Sequence, residues 1–340
     1  HAAGKCRGSW RDKPMRRVRT MRRRAVLGAA VVLAAPSIVQ AQAYPARGVR
    51  VVNAYSPGGT ADVVCRILCQ ALTERLGQTF TVDNKPGAGG TVAAQIVARA
   101  PNDGYTLLYD ATAHSVNPQL RRGQLQYDTL KDLLPVFLSM QAPNTLMRNV
   151  QFEAATMPEL IALAKKKPGV LDCASTGVGT VQHISLELLN HMAGVKINLV
   201  PYRDFGTLRG DLVSGRIPLQ FSNVPATVGM RGTKEVTCMA HTGPKPIDVL
   251  PGIPGIAEVL PGYETWEWNG VFVPAGTDSG LITRLNQEMN AAVAVPTVAA
   301  RLAELGALSR TNTVQEFADF REKQIAFFTD MVQRANIKLE

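Results

Sequence analysis

Two glycine-bearing segments carry residue types suited to chemistry with an anion. Residues 50–62 read Arg-Val-Val-Asn-Ala-Tyr-Ser-Pro-Gly-Gly-Thr-Ala-Asp. A short β-branched run ends near Tyr55, breaks at Ser56-Pro57-Gly58-Gly59, and an apolar-periodic helix begins at Thr60. The first N–H groups of a helix have no partners within it, and the macrodipole concentrates positive charge there. Glycines beside them leave that backbone open to a negatively charged ligand. The second segment is Ser175-Thr176-Gly177-Val178-Gly179-Thr180, followed by a helix carrying His183. It repeats the order strand, glycines, hydroxyls, helix start. Two such cradles could hold the two ends of a small acid. The same residues also suit an ordinary βα turn, where glycine merely permits unusual backbone angles. Both readings stand on these residues alone.

Single side chains near the cradles are equally two-sided. Asp62, in the first turn of its helix, complements the dipole or contacts a polar ligand group. His183 either donates to a ligand oxygen or caps and packs its own helix. Tyr202, after Pro201 at a strand end, can offer its hydroxyl to a cleft. Other chemistries are poorly supplied. Neither segment is a P-loop, because the Gly-Lys-Ser/Thr element is missing, and Gly177-Val178-Gly179 lacks the third glycine of a dinucleotide fingerprint. His114, His183, His191 and His241 show no metal-ligand spacing, so no metal and no cofactor is expected. There is no Gly-x-Ser-x-Gly elbow, and the cysteines sit in apolar patterns. A hydrolase or isomerase using His183 or Asp62 is the alternative reading, but no nucleophile is paired with a base.

These segments need elements to hold them. From Arg50 strands and helices alternate with short connections, which implies a mostly parallel sheet covered by helices on both faces. Val136–Met140 and Thr145–Arg148 read as two separate extended segments. A second α/β series follows, opened by the capping box Thr156-Met157-Pro158-Glu159. A proline-rich stretch (Pro244 to Pro261) leads to a strand over Trp268–Val273, in which Glu267 sits between Trp266 and Trp268. Three helices finish the chain, the last opened by Thr313-Val314-Gln315-Glu316. The expected architecture is α/β and two-lobed, with residues 44–145 plus 266–340 in one lobe and 146–265 in the other. Two strands would cross between them.

The 340 residues and formal charge of +10 suggest a nucleic-acid binder at first sight. Ten of the 37 Lys/Arg and one of the 27 acidic residues fall within 1–43, leaving 27 against 26 in the remainder. The basicity therefore belongs to the leader, and nucleic acid is not an expected partner. Arg22-Arg23-Arg24, the apolar run Ala25 to Ala35, Pro36 and Ala41-Gln42-Ala43 form an export signal, with cleavage expected after Ala43. Arg23-Arg24 partly matches a twin-arginine signal. The run is too short for a membrane span. The destination is the periplasm. Cys65, Cys69, Cys173 and Cys238 remain after cleavage. Their placement on one helix face and inside strands reads as small buried hydrophobes rather than a disulfide framework.

At this point the motifs match a known pattern. Ser56-Pro57-Gly58-Gly59 with Asp62, Asn84-Lys85-Pro86-Gly87-Ala88-Gly89-Gly90, Pro101 to Leu107 and Asn117-Pro118 follow one another in order. Ser175 to Thr180 with His183, Pro201-Tyr202-Arg203 and Phe272 to Thr277 complete the series. The chain resembles the Bug/TctC-type substrate-binding receptors of tripartite tricarboxylate transporters over nearly all of its mature length. The resemblance implies a type II-like periplasmic binding protein fold that closes on a carboxylate. It also implies integral membrane transporter subunits, or a sensor, as partners of a monomeric receptor. The candidate ligand contacts are Tyr55, Ser56, Pro57, Gly58, Gly59, Thr60, Asp62, His114, Ser175, Thr176, Gly177, Gly179, Thr180, His183, Tyr202 and Asn223. The chain departs from the family pattern at Asn53-Ala54-Tyr55, at Asp204 after Arg203, and at Ser222-Asn223. All three lie where the ligand pocket is expected.

Overall fold

The structure is a computed structural model that describes residues 44–334. The expected export signal, with its cleavage point, lies outside the described residues. The chain runs β1 (Val49–Asn53), α1 (Thr60–Leu76), β2 (Phe80–Asn84), a 3-10 turn (Ala88–Gly90), α2 (Thr91–Ala98), β3 (Thr106–Ala111) and α3 (Ala113–Leu120). Next come β4 (Leu133–Asn149), α4 (Met157–Lys166), β5 (Asp172–Ser175), α5 (Val181–Ala193), β6 (Asn198–Pro201) and α6 (Phe205–Ser214). They are followed by β7 (Leu219–Asn223), α7 (Val224–Val228), β8 (Val236–His241), β9 (Trp266–Pro274), α8 (Ser279–Val293), α9 (Pro296–Glu304) and α10 (Val314–Arg334).

Two sheets share one strand. The first has the order β2-β1-β3-β9-β4 and the second β8-β4-β7-β5-β6. In each, three outer strands are parallel (β2-β1-β3 and β7-β5-β6), while β4, β8 and β9 pair antiparallel. The sheets are therefore mixed, more antiparallel at the centre than the alternation of elements suggested. The two extended segments read around 136–148 are one 17-residue strand. Its Leu133–Pro143 part pairs with β9, and its Asn144–Asn149 part pairs with β7 and β8. Register shifts near Pro135 and Phe137 and between Leu138 and Met140 absorb the bends. The gap between the two segments is itself paired: Gln141, Ala142 and Pro143 face Trp268, Glu267 and Trp266 of β9, and Asn144 faces Asn223 of β7. Among the described residues only β4 belongs to both sheets; the second crossing is made by the connection from β8 to β9 rather than by a strand.

Helices cover both faces of each sheet. In the first, α1 and α8 supply Val64, Leu68, Leu72, Leu285 and Met289 to one core. On the opposite face Ala93, Ala94 and Val97 of α2 and Phe317 of α10 pack on Trp268 and Phe272. In the second sheet, Leu160 and Ala164 of α4 and Leu186 and Leu189 of α5 pack on Leu146 and Phe221. Leu208 and Leu212 of α6 cover Met147 and Ala174 on the other face. The capping box read at Thr313 forms in both directions: Glu316 N–H donates to Thr313 Oγ1 (3.1 Å) and Thr313 N–H to Glu316 Oε2 (2.7 Å). Cys65, Cys69 and Cys173 are buried, Cys238 is half-buried, and none of the four forms a disulfide. Among the described residues no helix is long and apolar enough to cross a membrane.

Candidate functional site

Five helix starts meet at one cavity of about 640 Å³, within the usual range for a small-molecule site. They are those of α1, α2, α5, α6 and α7, each following the carboxyl end of a parallel strand (β1, β2, β5, β6 and β7). That is where ligands sit in open α/β sheets. The caps divide these starts into two kinds. Thr180, Asp204 and Asn223 each accept a backbone N–H with their own side chain: those of His183, Thr207 and Ala226. The N-caps of α1 and α2 are Gly59 and Gly90, and no side chain caps either helix. Their first N–H groups are left for something else to satisfy.

Close packing accounts for Gly89 and Gly90 in the loop 87–90. At Gly90, with φ near +90°, a Cβ would lie 2.8 Å from Asp110 Oδ1; at Gly89 it would lie 3.1 Å from the Val178 carbonyl. The loop 87–90 is thus held against the loop 176–180, and Asn117 Nδ2 ties it by donating to the Gly89 carbonyl (2.8 Å). Two further hydrogen bonds cross the cavity. Ser56 Oγ donates to the Arg203 carbonyl at 2.7 Å, and Thr60 Oγ1 donates to Asn223 Oδ1.

Of the candidate contacts, Tyr55, Ser56, Gly59, Thr60, Thr176, Gly177, Thr180, Tyr202 and Asn223 border this cavity. Pro57, Gly58, Asp62, His114, Ser175, Gly179 and His183 do not, and most have visible positioning roles. The buried Asp62 carboxylate accepts from Gly58 N–H (3.0 Å), Asn84 Nδ2 (2.8 Å) and Arg66 Nε (2.9 Å). Burial pushes its pKa up, but those donors outweigh it and hold the carboxyl below its ordinary range. It therefore braces the Pro-Gly-Gly turn. His183 Nδ1 accepts the Gly179 N–H (3.2 Å), and burial lowers its pKa to about 4, so the ring is neutral. Ser175 Oγ donates to the Gly177 carbonyl (3.1 Å). His114 is buried with Nδ1 3.3 Å from Asp110 Oδ2 and its ring stacked 4.2 Å from Phe272. Neither Asp62 nor His183 faces the cavity with a free acid–base function.

The cavity also gathers residues that the sequence reading did not place there. Gly87 to Gly90 repeat the glycine chemistry of residues 56–60 and border the same cavity. Arg121, at the end of α3, is half-buried; burial keeps its pKa below the usual arginine value. It donates to Asn117 Oδ1 (3.3 Å) and the Val178 carbonyl (3.5 Å). Arg203 lies at the exposed rim beside Asp204, which the departures from the family pattern had already put near the pocket. Gln182 and Glu267 lie at the buried side, and Glu267 Oε2 accepts from Gln182 Nε2 (3.1 Å). Nothing local in the sequence points to Arg121 or Glu267. Among the described residues no group of three or more His, Cys, Asp or Glu could hold a metal ion.

Known proteins resemble the chain over most of its length. A family model described as "Tripartite tricarboxylate transporter family receptor" matches residues 64–337. The chain is 34% identical over 303 residues to a Pseudomonas sp. protein from the tcbD-tcbE intergenic region, covering 88% of this chain and 90% of that one. It is similar to the solved structure of R. palustris Rpa4515 with adipate, at TM-score 0.83 and 32% identity, covering 87% of this chain and 99% of the other. It is also similar to MatC from Rhodopseudomonas palustris with bound malate, at TM-score 0.80 and 29% identity, covering 85% and 100%.

Proposed function

The chain belongs to the tripartite tricarboxylate transporter receptor family, and from that premise we propose that its cavity captures one small carboxylate through the uncapped starts of α1 and α2. The observation that carries this is the pairing of two glycine-capped helix N-termini on one cavity. Their N–H groups supply oriented donors without a formal charge, and a carboxylate satisfies both the hydrogen bonds and the dipoles. Arg121 adds a half-buried cation beside them. Thr176, Gly177 and Thr180 face the ligand from the second sheet. The protein is a periplasmic solute-binding receptor and not an enzyme. The receptors solved with adipate and malate support the ligand class.

Residues 44–145 with 266–340 form one lobe and 146–265 the other, in this reading. The exchange of partners by β4 at Pro143 and Asn144 supports that division. The Ser56–Arg203 and Thr60–Asn223 hydrogen bonds would then latch the lobes over the ligand. The loaded monomer delivers its acid to integral membrane subunits or reports it to a sensor. Export with cleavage after Ala43 makes Tyr44 the mature N-terminus, which N-terminal sequencing of periplasmic protein reads directly.

A thermal-shift panel tests the ligand class. At a hundredfold excess over Kd, binding adds about 2.7 kcal/mol, or several degrees in Tm. Di-, tri- and aromatic carboxylates should give this shift. Shifts with sugars or amines and none with carboxylates would refute the anion cradle.

A further inference from the structure

We propose that Glu267 is a specificity-determining residue of the cavity, which presents its carboxyl group as an O–H donor to an oxygen of the bound acid. The inference rests on the carboxylate reading above and adds that near and above pH 8 the ligand is taken up together with a proton.

The geometry comes from a chain of side chains locked end to end. Glu267 lies on β9, 5% exposed, and borders the cavity. Its Oε2 accepts from Gln182 Nε2 (3.1 Å) and its Oε1 from Asn269 Nδ2 (3.2 Å). Each amide is itself oriented by a hydroxyl. Thr176 Oγ1 donates to Gln182 Oε1 (3.2 Å), and the Tyr109 hydroxyl donates to Asn269 Oδ1 (3.5 Å). Both amides therefore turn their NH₂ groups toward Glu267, and each carboxyl oxygen receives one neutral hydrogen bond. Neutral amides stabilise a carboxylate far less than a cation does. The neighbouring charge is that of Asp110 on β3, another acid, and the Tyr55 and Tyr109 phenols are the other titratable groups facing it. Arg121, the half-buried cation of the cavity, is committed to Asn117 and Val178.

A carboxyl group so placed resists ionisation. Burial, opposed in part by the two amide hydrogen bonds and reinforced by Asp110, raises its pKa to about 8. At neutral pH it is a carboxylic acid with an O–H to donate, the device by which an apolar site keeps an acid neutral. Its two amide neighbours are donors and can accept nothing from it with their NH₂ groups. The partner that completes the arrangement is an acceptor in the cavity, and a carboxylate oxygen of the ligand is the strongest one. An ionised Glu267 would instead repel it. The ligand favoured is a small acid with a second carboxylate oxygen or a carbonyl oxygen able to reach β9, and not one with an ammonium group there.

The test is calorimetric titration of the wild type and Glu267→Gln with adipate and with malate between about pH 6 and 9.5. Two buffers of different ionisation enthalpy count the protons. The wild type should take up protons on binding near and above pH 8, with affinity falling by up to tenfold per pH unit there; Glu267→Gln should show neither effect. Carboxylate binding by the wild type near and above pH 8 without proton uptake would overturn the proposal, and that measurement needs no variant. The same pH slope in Glu267→Gln would overturn it too. So would affinity that rises with pH alongside a preference for aspartate or glutamate over malate, since an ionised Glu267 would then be pairing with an ammonium. Failure of the wild type to bind any carboxylate would overturn the carboxylate reading itself, and this proposal with it.

Discussion

Glu267 makes a prediction about the unliganded protein that can be worked through with its sign. Its pKa rises from the ordinary 4.5 to about 8 on folding, chiefly through burial. Below pH 4.5 the carboxyl is protonated in both folded and unfolded chains and costs nothing. Between 4.5 and about 8 the unfolded chain releases the proton while the folded chain keeps it, so stability falls by about 1.4 kcal/mol per pH unit. Above about 8 both forms are ionised and the loss stops, at about 5 kcal/mol in all. Glu267→Gln removes the titration. It also turns an NH₂ toward one of the two amide donors, Gln182 or Asn269, at a cost of about 1 kcal/mol. The variant should therefore be about 1 kcal/mol less stable than the wild type near pH 4. It should be about 4 kcal/mol more stable at pH 8 to 9, with the curves crossing between about pH 5 and 6. Urea midpoints measured across this range for both proteins isolate the difference, because every other titrating group cancels. Parallel stability curves would refute the claim that the folded protein holds this carboxyl protonated.

The cradle and the core supply two more tests. Gly59 has φ near −76° and a Cβ there would meet only the Ser56 carbonyl at 3.6 Å. Gly59→Val should therefore fold normally yet weaken carboxylate binding at least tenfold, about 1.4 kcal/mol. Gly179 lies off the cavity and its N–H is taken by His183, so Gly179→Val should cost about 1–2 kcal/mol of stability, because Gly179 has φ near +86°, and weaken binding less than Gly59→Val. Calorimetry with circular dichroism as a folding control separates the two effects, and unchanged affinity in folded Gly59→Val would place the site elsewhere. In the core, a Cβ at Gly270 would lie 2.2 Å from Phe317 Cζ. Gly270→Ala should therefore lower stability by about 1–3 kcal/mol through overpacking, seen as a Tm drop of at least about 2 °C; an unchanged Tm would contradict that packing.

The elements written into neighbouring residues were legible without any structure. Strand, Pro-Gly-Gly and helix at 50–62 form as read, as does the Thr313–Glu316 capping box, because their hydrogen bonds close within a few residues. The anion-cradle idea was likewise local, since an uncapped helix start depends only on its own glycine. What the fold alone decided is which local features meet. Parallel pairing of β1 with β2 brings the loop 87–90 beside the loop 56–60, so a second glycine-capped helix start joins the first. Asp62 and His183 had the right chemistry for ligands, yet the nearest unsatisfied donors were the Gly58 and Gly179 N–H groups, which claimed them. Continuous pairing with β9, β7 and β8 carries β4 through residues that read as breaks. Glu267 depends most on the tertiary structure. Its alternation along β9 was plain, but whether an acid on a strand is solvated or kept neutral turns on its burial and on Gln182 of α5 and Asp110 of β3, residues distant in sequence, and no local pattern encodes that.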